Sequence, residues 1–387
     1  MGSVTVNLAN GQLGGTLQTN DGVCGLVMTG ATEGDYTVGD CILVTGLDSL
    51  AAAGITAAGN AFAYRQIKEF YDQAGAGAQL YLLLVANTMA VDAMCDHTNA
   101  NGAKKLLQFA GGKIKLLGII PDDFTIDDFT VTNGINGSVY DAVNNMHVLA
   151  GDFFDMEHPF RCLIAGSCYN GVPADLNDMT DGTNMNRVAI VIGDTVSSAT
   201  APGAVGLALG RLASVPVQRK LSRVKDGPLT NTEAYLSTTA LEDAAGAEAT
   251  IAGKGFITWK TYPNLSGYFW SGDPMCTANA DDYHMLARGR VIDKAHILAY
   301  SVFVQEVDDE VPVNADGTID AGFAKWLQQQ IVNTINTTMV ANKEVSSVSC
   351  FIDPAQDIVT TSILNVVLKI RPVAYASDIV ISLGFES

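Results

Sequence analysis

The chain has 387 residues, of which 48% are apolar and only 16% charged, where about 25% charged is usual for a soluble domain. Lys plus Arg number 22 against 41 Asp plus Glu, and the resulting formal charge of −19 repels phosphate backbones and anionic membranes, which argues against nucleic-acid binding. No apolar run approaches the roughly 20 residues needed to span a bilayer, and the opening Met-Gly-Ser-Val-Thr-Val-Asn-Leu lacks the basic and apolar segments of a signal peptide.

The length suffices for two or three domains with a sizeable core. A surface this poor in charge is a hint that part of it is hidden in partners. Seven cysteines (Cys24, Cys41, Cys95, Cys162, Cys168, Cys276, Cys350) are scattered with no C-x-x-C pair, so neither a zinc site nor a disulfide framework is signalled. Thiols kept reduced in a cytoplasm, where the protein is made and folded, fit best.

Val4, Val6 and Leu8 alternate with Thr5 and Asn7 as a short amphipathic strand, and Gly11, Gly14 and Gly15 then break the pattern. From Asp21 onward the reading is α/β. Val23–Met28 and Cys41–Val44 are expected as buried strands, 59–73 as a helix, and Gln79–Val85 as a strongly apolar strand. A helix at Ala103–Phe109 leads to a strand at Ile114–Ile120, and a helix at Val139–Val148 precedes strands at Cys162–Ala165 and Val188–Ile192. Strands in helical alternation predict a parallel or mixed sheet covered on its faces. The Ala- and Gly-rich stretch 195–255 holds a helix at Pro202–Ala213 and another near Thr232–Ala244. The C-terminal third reads as a long helix (280–305), the acidic turn Asp308-Asp309-Glu310, a hairpin-like Asn314–Gly317 and a helix from Asp320 to Val340. Strands follow at Val345–Ile352 and Ser362–Val373, and then a final alternation of Ile379, Ile381, Leu383 and Phe385. A domain break is expected in the Gly/Pro/Asn stretch 271–280. The division is therefore 1–18 (an N-terminal arm), 19–270, 271–375 and 376–387 (a C-terminal arm).

Catalytic chemistry is poorly signalled. The histidines His97, His147, His158, His284 and His296 stand alone, without H-x-x-x-H or H-E-x-x-H spacing. Four carboxylates (Asp122, Asp123, Asp127, Asp128) follow a strand but lack the Gly and Glu of a calcium loop, so a solvated loop with helix-capping Asp is the better reading. Gly253-Lys254-Gly255 lacks the rest of a phosphate-binding loop, and Gly203, Gly206 and Gly210 sit in an Ala-rich helix, where small residues permit close packing. Gly166-Ser167-Cys168 is only a faint nucleophile elbow. No metal, no cofactor and no catalytic residue is expected.

Both ends are short amphipathic strands set off by breaks. Their backbone groups need partners, found either in the chain's own sheet or by addition to the sheet of a neighbouring copy; the pattern alone leaves both open.

Several segments, in their order, resemble the contractile-tail sheath family over most of the chain. The opening Val4-Thr5-Val6-Asn7-Leu8 with Gly11, Leu13 and Gly14 looks like the start of phage-type sheath subunits. The run from Phe62 to Leu83 is similar to the family's helix, Gly-rich turn (Gly75-Ala76-Gly77) and Leu-Tyr strand. Gly255-Phe256-Ile257-Thr258-Trp259-Lys260-Thr261 resembles its Gly-aromatic-aliphatic strand, and Arg288-Gly289-Arg290-Val291-Ile292-Asp293-Lys294 its Arg-containing helix start. The resemblance implies a mixed α/β, multi-domain sheath subunit with an outer α/β domain, an inner C-terminal domain and extended terminal β arms. It implies a structural role without enzymatic activity: stacked six-fold rings around an inner tube, bounded by baseplate and tail terminator proteins. Assembly is expected in a host cytoplasm, into a virion tail or phage-like particle, with no membrane insertion. Val4, Val6, Leu8, Ile379, Ile381, Leu383 and Phe385 are then the strand donors, and Leu364, Val366, Leu368 and Ile370 the acceptor strand. Lys325 and Gln328 are expected to face the tube, unless their helix merely covers a core. The alternatives are a nucleotide-dependent α/β enzyme or another self-assembling virion protein, a tube or capsid.

Overall fold

Five apolar runs between residues 24 and 191 become strands buried on both faces. The computed structural model describes residues 20–122, 130–244, 246–377 and 379–384. Packing divides the chain into two units, Met1–Asp293 and Lys294–Ser387.

The first unit is built on six strands: β1 (Cys24–Thr29), β2 (Cys41–Val44), β3 (Leu80–Val85), β4 (Leu116–Ile120), β5 (Arg161–Ala165) and β6 (Val188–Val191), in the order β2-β3-β1-β4-β5-β6. All neighbours run parallel except β2, which lies antiparallel on β3 with Leu43 opposite Tyr81. β1 and β3 to β6 are buried residue by residue, as a sheet covered on both faces requires. The expectation of a buried strand at 41–44 is corrected: among the described residues β2 is the edge strand of the sheet, its side chains are only partly covered, and Leu43 is exposed.

Two glycines show which helix covers which face. A Cβ on Gly25 would meet Leu106 of α2 (Ala103–Ala110), whereas one on Gly118 would meet Val205 and Leu209 of α4 (Val205–Ala213). α1 (Ala61–Ala74) packs on α4, and α3 (Ser138–Asp155) packs on β5 and β6. The small residues of α4 serve the close packing their spacing predicts. A Cβ on Gly206 would stand 2.1 Å from the Gln66 carbonyl oxygen, and one on Gly210 2.4 Å from that of Phe70. Gln66 completes the joint, its Nε2 donating to the Gly203 carbonyl (3.0 Å) and its Oε1 accepting from Gly206 N (2.9 Å).

The helix expected near 232–244 is replaced by a hairpin, Tyr235–Leu236 against Thr239–Ala240, and a 3-10 turn at Leu241–Asp243. Tyr235 exchanges backbone hydrogen bonds with Asp194 (2.8 and 3.1 Å) and accepts one from Trp259 Nε1 (3.1 Å), and Ser237 turns with φ 62°. These tertiary bonds outweigh local helix propensity.

The division between units falls inside α5 (Leu286–Phe303). The second unit continues with α6 (Ala321–Ile335), a π-helical turn at Asn336–Val340, β7 (Val345–Phe351) and β8 (Val367–Pro372). The Asp320 carboxylate accepts from Phe323 N (2.9 Å) and caps α6. A small core of Ile319, Ala324, Leu327 and Ile352 gathers Phe303, Phe323, Leu364 and Val366 around it.

Candidate assembly surfaces

β7 and β8 form a two-stranded antiparallel ribbon. Val348 pairs with Ile370 and Cys350 with Leu368 on its inward side, while Ser347–Arg371, Ser349–Lys369 and Phe351–Val367 pair on its outward side. Among the described residues the ladder ends there, so both outer edges present unpaired backbone groups. Of the expected acceptor residues, Leu368 and Ile370 lie in β8. Leu364 and Val366 do not: they precede the strand and pack on the small core. The reason is local. Ile358–Thr361 forms a helical turn, Ser362 is left-handed (φ 53°), and the Gln356 side chain holds Asn365 by both its backbone N–H (2.7 Å) and its C=O (3.0 Å).

The C-terminal alternation is laid open. Ile379, Val380, Ile381 and Leu383 are 77%, 92%, 80% and 96% exposed and pair in no strand among the described residues. Val4, Val6, Leu8 and Phe385 lie outside the described residues. Within the second unit a groove of about 850 Å³ is lined by Phe303, Val307, Phe323, Leu327, Ile358 and Val366, among others.

α6 divides the expected tube-facing pair. Lys325 is exposed and donates to Gln328 Oε1 (3.2 Å). Gln328 is only 8% exposed and donates from Nε2 to the Ile352 carbonyl (3.2 Å), so its placement on an outward surface is corrected: it faces the core. The outward residues are Lys325, Trp326, Gln329, Gln330 and Asn333. Trp326, 45% exposed with its ring 5.4 Å from that of Phe323, was not singled out by the sequence, where an aromatic at helical spacing reads as core.

The Arg-containing start of α5 is a buried seat. Arg161 Nε and Nη2 donate to the two carboxylate oxygens of Asp293 (2.7 and 2.9 Å), and Arg187 Nη1 joins at 3.3 Å. Arg161 also donates to the Asn186 and Gly289 carbonyls (2.8 and 3.2 Å). At Gly289 a Cβ would lie 2.7 Å from Arg161 Cζ, so any larger residue would have to displace the guanidinium. Arg290 Nη2 donates to the Leu212 and Val215 carbonyls (3.1 and 3.3 Å). Within the second unit, Lys294 pairs with Glu344 (2.8 Å).

The segments weighed for catalysis are used structurally. Lys254 Nζ donates to the Ala174 carbonyl (2.7 Å) and to that of Leu176. Ser167 is buried, its Oγ without a hydrogen-bond partner among the described residues. Asp123, Asp127 and Asp128 lie outside the described residues, and Asp122 N donates to Thr29 Oγ1 (2.8 Å). At the switch point beside β1, where α/β sheets often hold nucleotides, the chain runs from Gly30 into β2, not into a helix. Asn60 fills the place: its Oδ1 accepts from Ala31 N (2.7 Å) and a Cβ on Gly30 would lie 2.9 Å from it. Among the described residues no group of three His, Cys, Asp or Glu is arranged to hold a metal.

Family models for DUF2586 match the chain twice, its N-terminal domain over residues 1–273 and its C-terminal domain over 282–387. The chain belongs to the DUF2586 family. Comparison with curated protein sequences gave no match. Among solved structures, this DUF2586 chain is similar to the helical sheath of the anti-feeding prophage in its contracted state, with a TM-score of 0.65, 11% identity, and 99% of this chain and 98% of that one covered. It is likewise similar to the contracted sheath complex of the extracellular contractile injection system PVC (TM-score 0.61, 11% identity, 99% and 97% covered). A third likeness is to a sheath tail protein from Desulfitobacterium hafniense (0.51, 12%, 96% and 100%). The DUF2586 chain thus has the mixed α/β fold of contractile-tail sheath subunits over its whole length, as the order of its motifs predicts.

Proposed function

We propose that the protein is a structural sheath subunit of a contractile tail or injection machine, polymerising around an inner tube and contracting to drive it through a target envelope. The observation that carries this reading is the whole-chain fold likeness, which spans both packing units instead of the α/β sheet alone. The surfaces supply a route to polymerisation. An apolar C-terminal segment is exposed, a two-stranded ribbon has open edges among the described residues, and the same unit holds a groove of mainly apolar side chains rimmed by Glu306, Asp308 and Asp309. Addition of a strand from another copy satisfies the open edge, and its alternate side chains enter the groove.

In this reading residues 19–270 form the outer α/β domain, 271–375 the inner domain, and 1–18 and 376–387 the arms, with Val4, Val6, Leu8, Ile379, Ile381, Leu383 and Phe385 as donors. Partners are other copies in stacked six-fold rings, an inner tube protein, a baseplate and a tail terminator. The role is mechanical and non-enzymatic, in a particle assembled in a host cytoplasm. Negative-stain microscopy of the purified chain tests it: wide hollow cylinders are expected, whereas closed shells, narrow tubes, or monomers at every concentration overturn it.

A further inference from the structure

The outward face of the β7–β8 ribbon carries Lys369 and Arg371, two residues apart on one strand and therefore neighbours on one face. Both are exposed, and neither forms an ion pair with any described residue. They remain so in a chain where carboxylates outnumber cations 41 to 22. Eight other cations, Arg65, Lys68, Arg161, Arg187, Arg219, Lys220, Arg223 and Lys294, do hold carboxylates. Two like charges side by side repel each other unless a partner intervenes. The residues across the ladder, Ser347 and Ser349, carry no charge to offset them.

The same unit holds the complement. Asp308, Asp309 and Glu310 are consecutive and exposed, and none has an ion-pair partner among the described residues. Asp308 is held left-handed at φ 61°. In one copy the two charge groups form no ion pair with each other. Copies of a chain at −19 repel in any polymer unless such complementary patches meet.

We propose that the outward face of the β7–β8 ribbon docks a second copy of this chain, with Lys369 and Arg371 taking the Asp308–Glu310 turn of that copy. This rests on the reading of the chain as a self-assembling subunit and adds a charged contact to the terminal strands, at a turn whose Asp308 and Asp309 also line the groove of the second unit. Opposite charges at such a contact fix register and partner choice and make association sensitive to salt.

The test is the concentration needed for self-association of the full chain, read by sedimentation at low and high salt. Lys369→Glu with Arg371→Glu is expected to raise it about tenfold or more, a change of about 1.4 kcal/mol or more. Asp308→Lys with Asp309→Lys and Glu310→Lys is expected to do the same, and mixing the two variants, or combining them in one chain, to restore association. The milder Lys369→Gln/Arg371→Gln chain, checked for folding by circular dichroism, is expected to lose the salt dependence. Wild-type association in the charge-reversed ribbon variant overturns the proposal, as does loss without rescue by the reversed turn, which assigns the cations to a different acidic partner. If the wild-type chain associates under no condition, the sheath reading itself falls, an outcome distinct from the other two.

Discussion

Arg161 and Asp293 stand 132 residues apart and meet through two parallel hydrogen bonds of 2.7 and 2.9 Å, both side chains almost wholly out of solvent. Burying such a pair brings little net stability, but removing one partner leaves a charge stranded. Asp293→Ala is therefore expected to destabilise the fold by about 3–5 kcal/mol, measured by urea unfolding. Asp293→Asn keeps one acceptor oxygen for Arg161 and for Arg187, which lies 3.3 Å away, so that variant should cost less.

The α1–α4 joint predicts a steric effect of the opposite chemistry. Gly206→Ala places a methyl 2.1 Å from a backbone oxygen that cannot swing away, and overpacking of this kind costs about 1–3 kcal/mol. Gly151→Ala is the control: it lies within α3 with nothing inside 4 Å of its Cβ. It is expected to stabilise by about 0.5–1 kcal/mol on helix propensity alone. Thermal unfolding of the two variants should move in opposite directions.

Glu33 accepts hydrogen bonds from the Thr56 hydroxyl and backbone N–H and from the Asn60 amide, which hold its carboxyl down from the usual 4.5 to about 2. Because the folded value is the lower one, its contribution is fully present above about 4.5 and is lost as pH falls through about 2. Carbon-detected NMR titration should find the Glu33 midpoint near 2. In Glu33→Gln, the acid limb of the stability profile should flatten in that window.

Ile381 is 80% exposed, so Ile381→Asp should leave unfolding unchanged to within about 0.5 kcal/mol. If the terminal strand joins copies, the same change buries a carboxylate in the joint and abolishes cylinders in the microscope. Normal cylinders from this variant, or from a chain lacking residues 376–387, would remove the arm from the mechanism.

α6 offers a contrast between two residues three apart. Gln328→Ala leaves the Ile352 carbonyl without its donor and is expected to cost about 1–2 kcal/mol. Lys325→Ala, exposed, should cost nothing measurable by urea unfolding.

The parts of the fold that sequence made legible are those where burial dictates composition. β3 as Leu-Tyr-Leu-Leu-Leu-Val and β4 as Leu-Leu-Gly-Ile-Ile admit few other readings, and Gly75 ends α1 where its pattern stops. The misreadings share a physical cause: a distant partner overrides the local pattern. Tyr235 is drawn into a hairpin by Asp194 and Trp259, Leu364 is held out of β8 by the loop that Gln356 ties, and Gln328 turns inward to serve a carbonyl on another segment. Trp326 shows the converse, a residue type expected inside that lies half outside. Glu33, Thr56 and Asn60 carry no shared spacing, and only the fold brings them together.

The division between the packing units, between Asp293 and Lys294, falls within the span of α5. A fragment severed at that point inherits half a helix, with four carbonyls bare on one side of the cut and four amides on the other. Anyone producing the halves separately should cut before Leu286, so that the trailing piece keeps the whole helix, even though the leading piece then forfeits the carboxylate that neutralises Arg161.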